Sequence, residues 1–212
     1  MSYADLMSAM LMVFALLLTV VVLDYREDLA EKQKIIEEVT NVKNEIIAAL
    51  LEEFKDSSVQ IEVDAQTGAI RFPSNVLFDI NSTEIKPDGK TSLKEIVPKY
   101  FSILLQDRFR DEISNIIIEG HTDREGTYLY NLNLSQQRAL SVVQDIYGED
   151  FPAFKEKELS QAFVTANGRS FSVPVNKEDG SYDPNSSRRV EFLFRLKEDE
   201  KIKEILELVN ED

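Results

Sequence analysis

Cysteine and tryptophan are absent from this chain, histidine occurs once, and 24 cations stand against 39 acids. Without cysteine there is no disulfide, no thiolate metal site and no thiol for an N-terminal lipid anchor. A lone His121 supplies too few ligands for zinc and little support for acid–base catalysis, so neither an enzyme, a metal centre nor a cofactor is expected. His121 reads instead as a hydrogen-bond donor that orders its loop. Asp179 and Asp183 lack the spaced oxygen ligands of a calcium loop. The formal charge of −15, with no basic stripe to displace counterions, argues against nucleic acid as a partner. Glycine and proline are missing altogether between Asp24 and Asp56, which favours uninterrupted helix there.

Leu6 to Leu23 contains Ser8 and Thr19 as its only polar members and spans about 27 Å as a helix, enough to cross a bilayer. No Lys or Arg precedes the run and no small-residue cleavage site follows it, so a retained anchor is expected rather than a cleaved signal. Asp5 stands at its start. Ser2-x-x-Asp5 has capping-box spacing, and an acid at a helix N-terminus stabilises it by up to about 1 kcal/mol. Set in lipid, the same carboxylate costs about 2.5–3.5 kcal/mol and implies a protein-lined ion path. Physical chemistry alone leaves both readings open.

Ile35, Val39, Val42, Ile46 and Ala49 step by four and three, which predicts a helical linker or plug over 24–56 whose seam pairs with a second copy or docks on its own domain. A globular domain is expected over 57–196. Its strands are predicted at 59–63, 69–72, in NVLFDI, over 113–119, near 163–166 and over 188–195. Helices are predicted over 91–105, 134–147 and 151–161, and an acidic amphipathic one over 197–212. The alternation specifies an α/β (α+β) fold, a mixed sheet covered by helices behind one transmembrane helix.

The stretch IIIEGHTDREGTYLYNLNLSQQRAL runs from a buried strand through a polar loop, Gly120 to Gly126, into a helix expected to carry Arg138 in its first turn. Ligands of open α/β sheets sit beyond such strand ends. A cation in a first turn opposes the helix dipole, and Asp123 is the nearby anion that would offset it. An internal salt bridge and an amino-acid clamp, with Asp123 on an ammonium and Arg138 forked onto a carboxylate, are both open.

Gly120-His121-Thr122-Asp123, Gly126, Tyr130-Asn131, Leu134-Ser135, Arg138-Ala139 and Arg188-Arg189-Val190-Glu191 resemble, in order and spacing, the OmpA-like peptidoglycan-binding domain. The resemblance implies that Asp123 and Arg138 bind the diaminopimelate of a stem peptide, with Thr122, Asn131 and Leu134 shaping the pocket and Arg189 supporting it. Ser2-Tyr3-Ala4-Asp5 followed by an apolar run is similar to the signature of MotB-type stator subunits, where the Asp carries a proton or sodium ion. That likeness implies a homodimer, a polytopic MotA/ZorA-like partner and an inner-membrane location with the domain in the periplasm. Two departures separate the chain from flagellar relatives: only Met1 stands where they usually carry a basic tail, and no Trp lies near the loop. The loop and the C-terminal segment look closer to the B subunit of Zorya anti-phage systems.

Overall fold

A computed structural model of the chain describes residues 3–197, without the side chains of Asp5, Asp28, Glu31, Ile35, Glu38 and Val39. The expected C-terminal acidic helix lies outside the described residues apart from Lys197. Helix α1 runs over Tyr3–Phe54. Its stretch Leu6–Lys34 is long and apolar enough to cross a membrane, and the large apolar side chains from Leu6 to Leu23 are exposed. Of the described residues, those up to Asn41 form one compact unit and residues 42–197 form another.

The second unit is built on five strands, β1 (Glu62–Val63), β2 (Ile70–Pro73), β3 (Ile113–His121), β4 (Val164–Gly168) and β5 (Arg189–Leu196), in the order β1-β2-β5-β3-β4. All neighbours are antiparallel except β3 and β4, so the sheet is mixed, as expected. Helices α2 (Ser74–Leu77), α3 (Pro87–Leu104), α4 (Asp107–Arg110), α5 (Tyr128–Tyr147), α6 (Lys157–Ser160) and α7 (Pro184–Ser187) complete it.

Ile116 and Ile118 of β3 and Phe192 of β5 are buried, as are Leu93, Val97 and Tyr100 of α3 and Ala139, Val142 and Ile146 of α5. The Tyr100 ring meets Phe192 edge-on at 5.8 Å. Ile46, Leu50 and Phe54, from the last turns of α1, belong to the same core, and Ile47 and Leu50 lie against Gly68. Of the two roles open to the seam, docking on the chain's own domain is therefore met by Ile46. Glu53 reinforces it by pairing with Lys99 of α3 at 3.1 Å.

Four local expectations are corrected. NVLFDI is not a strand. Pro73 closes β2, Ser74–Leu77 makes one helical turn, and Phe78 pairs with Ile85 in a single bridge. The strand expected over 59–63 shrinks to Glu62–Val63, because Ser57 Oγ and the Val59 carbonyl accept from the Val59 and Ile61 amides in a local turn. The helix expected over 151–161 is reduced to α6, while Phe154 stacks on Phe101 at 5.7 Å and Phe151 meets Phe154 edge-on. Finally, α5 starts at Tyr128, because Thr127 caps it by accepting the Tyr130 amide.

Candidate functional site

The early start of α5 moves Arg138 from the expected first turn to the helix interior, so the dipole argument for an anionic partner does not apply to it. What holds Arg138 is two main-chain carbonyls and one hydroxyl. Its Nε donates to the Ser82 carbonyl at 2.9 Å, Nη2 to the Asp79 carbonyl at 3.2 Å and Nη1 to Ser74 Oγ at 2.9 Å. Beneath the guanidinium lies the Phe78 ring, 5.1 Å away. The Asp79–Ser82 turn that supplies these carbonyls contains Asn81 at φ 57°, a left-handed conformation that asparagine tolerates.

Asp123 sits in the loop after β3, and its Oδ1 accepts the Glu125 amide at 3.0 Å. Its ion-pair partner is Arg188, through Oδ2 and Nη1, so of the two readings left open the internal bridge to Arg138 is not formed, and Asp123 pairs with the residue preceding β5. Asn131, on the first turns of α5, donates to the Glu125 carbonyl at 2.7 Å and closes the loop. Thr122 is buried and its amide donates to the Ser170 carbonyl; Leu134 is half-buried. Burial pulls the Arg138 guanidinium below the ordinary arginine range; nearby Arg188 pulls the same way, while Tyr130 and Asp123 oppose.

Arg189, expected to support the pocket from the last strand, engages Glu191 and not Asp123. Successive strand residues face opposite sides of a sheet, and the register places Arg189 opposite His121 and Glu191 opposite Glu119. Arg189 Nε donates to Glu191 Oε1 at 2.6 Å, and Arg71 Nε reaches the same oxygen at 2.8 Å. Burial pushes the Glu119 and Glu191 carboxyls up, but His121 and Arg169 around Glu119, and Arg189, His121 and Arg71 around Glu191, outweigh it and hold both below the usual range. His121 is not the loop-ordering donor expected: it is buried and neither ring nitrogen has a hydrogen-bond partner.

Two glycines set the distance between the strand and the helix that carry the site. A Cβ on Gly120 would lie 2.1 Å from the Ser135 carbonyl oxygen, and one on Gly168 2.5 Å from the Gln136 nitrogen. Only bare backbone lets α5 sit this close to β3 and β4.

The OmpA family matches residues 77–170 of this chain. The Zorya protein ZorB of the Escherichia coli Crooks strain is 34% identical over 97% of this chain and 91% of its own length. The chain belongs to the ZorB family. A ZorB from a second Escherichia coli strain is 29% identical over 92% of this chain and 79% of its own. Among solved structures, the periplasmic domain of Helicobacter pylori MotB is 20% identical and covers 71% of this chain and 97% of its own, with a TM-score of 0.47. The ZorB likeness takes in both the apolar helix and the globular unit, whereas the OmpA match includes Asp123 and Arg138 but stops before Arg188.

Proposed function

We propose that this ZorB-family chain is the B subunit of an ion-driven, stator-like complex of Zorya-type anti-phage defence. It is a non-enzymatic, dimeric inner-membrane protein whose C-terminal domain holds peptidoglycan in the periplasm. The observation that carries the anchoring role is the buried guanidinium of Arg138, held by three hydrogen bonds, together with the Asp123 carboxylate, which already takes a cation in Arg188. Arg138 has three of its five N–H groups engaged, and one on each terminal nitrogen remains for a forked bond to a carboxylate. A ligand carboxylate there offsets the repulsion between the two arginines. Its ammonium replaces Arg188 on Asp123, a position that a cation already fills. Diaminopimelate of a stem peptide carries both groups. Asn131 and Thr122 keep the loop in place, and half-buried Leu134 offers an apolar wall.

The motor role rests on Asp5, within helix α1 at the head of the apolar run. There the carboxylate alternates between a loaded form, carrying a proton or a sodium ion, and a free form, in a path shared with a polytopic MotA/ZorA-like subunit. A dimer fastened to the cell wall gives that partner something fixed to turn against.

Peptidoglycan retention by the full chain tests the clamp: Asp123→Ala and Arg138→Ala should each abolish pull-down while far-UV circular dichroism is unchanged. Wild-type retention by both folded variants would remove the clamp. Asp5→Asn should abolish phage protection at normal expression and leave retention intact; protection that survives leaves a passive tether.

A further inference from the structure

We propose that Glu119, His121 and Glu191 form a site for one divalent first-row transition-metal ion, with zinc as its natural probe. The three residues share one face of the sheet, Glu119 opposite Glu191 across the β3–β5 pair and His121 two positions along β3. His121 Nε2 lies 3.5 Å from Glu119 Oε2 and 3.6 Å from Glu191 Oε2, with all three donor atoms within 4.8 Å of one another. The two Nε2 distances lie at ion-pair range, beyond a well-formed hydrogen bond. The two distances from Nε2 match edges of a tetrahedral site, since ligands at about 2.0–2.2 Å from zinc stand about 3.3–3.6 Å apart.

His121 itself points to a missing partner. The ring is 1% exposed, yet neither nitrogen makes a hydrogen bond. A buried polar group left in this state is rare, and each case calls for an occupant or a role. Glu191 is already oriented as an outer shell would orient it: Arg189 and Arg71 both donate to its Oε1, which leaves Oε2 turned to the imidazole. Charge favours the ion as well. Around the cluster stand four carboxylates, Glu62, Asp64, Glu119 and Glu191, and three guanidiniums, Arg71, Arg169 and Arg189. Arg169 lies 3.8 Å from Glu119 and is about half exposed. One imidazole with two carboxylates suits zinc, manganese or iron(II) better than calcium or magnesium, which prefer oxygen alone.

An ion here would clasp β3 to β5 at the end of the pair from which Asp123 leaves and into which Arg188 leads. The inference does not depend on what that neighbouring pair binds.

The test uses the tag-free full chain in detergent, stripped with a chelator. Because His121 is the only histidine, imidazole coordination has one source. Zinc competed against a chromophoric chelator should bind one per chain, and copper(II) electron paramagnetic resonance should show coupling to a single imidazole nitrogen. Glu119→Gln and His121→Gln should each weaken zinc binding at least about tenfold, while Glu178→Gln leaves it unchanged. Absence of stoichiometric zinc binding, zinc affinity unaltered in both site variants, or a copper spectrum without nitrogen coupling would each overturn the proposal. If His121→Gln fails to fold, Glu119→Gln and the wild-type spectrum decide it.

Discussion

Adding one methyl group at Gly120 should unsettle the whole globular unit. The Cβ of Gly120→Ala would stand 2.1 Å from the Ser135 carbonyl oxygen, where ordinary contact begins at 3.4 Å. Both sides of the clash are backbone, one in the sheet and one in α5, so no rotamer change relieves it. Strand and helix must separate by roughly 1.3 Å, and overpacking of that kind costs about 3 kcal/mol. For a unit of this size that corresponds to a melting temperature lower by about 6–12 °C, read by circular dichroism of the full chain. Gly180→Ala is the control: its φ is +80° but nothing lies within 4 Å of the new methyl, so only a strain of about 1 kcal/mol is expected. Because α5 carries Arg138 and β3 leads to Asp123, Gly120→Ala should also lower peptidoglycan retention below the transition. A Gly120→Ala protein melting as high as Gly180→Ala would mean that the strand and α5 are not held at this separation.

Leu50→Ala, at a fully buried position of α1, should destabilise the globular unit by about 2–5 kcal/mol, whereas Leu129→Ala, 73% exposed, should stay within about 0.5 kcal/mol in urea titrations. Equal effects would mean that the end of α1 is not part of the core. Asp64 makes a pH prediction. Burial pushes its carboxyl up, but the Thr67 and Gln66 amides and Arg71 outweigh this and hold it below the ordinary value. A depressed carboxylate contributes stability above its unfolded pKa, and that contribution disappears as pH falls through the folded one. Asp64→Asn should therefore be less stable than wild type at neutral pH, with the gap closing on acidification below about pH 4. A gap that stays constant down that range would count against it.

The long periodic segments were legible from sequence because burial on one face leaves a pattern: α3, β3, β5 and the seam residue Ile46 all follow it. The failures fall where local chemistry overrides period. NVLFDI has the composition of a strand, yet the preceding Pro73 and the pairing of Ser74 with Arg188 turn the chain into a helical step. At the site, Asp123 and Arg138 stand out as polar residues in a buried setting, whereas the choice between Arg188 and Arg189 was not legible. Adjacent residues entering a strand face opposite sides, and only the register says which side holds Asp123. No composition signal marks Ser82 and Asp79 as partners of Arg138, since they act through carbonyls that every residue possesses.

That last feature has an evolutionary corollary. Contacts made by main-chain oxygen are indifferent to side-chain identity, so the turn over Asp79–Ser82 can diverge freely while its grip on Arg138 persists. Ile80, 93% exposed, should accept nearly any residue, and Asn81, at its positive φ, should accept glycine before anything branched. A deep mutational scan would then record a permissive stretch beside an intolerant Arg138, and poor conservation in that turn would be no sign that it lacks a function.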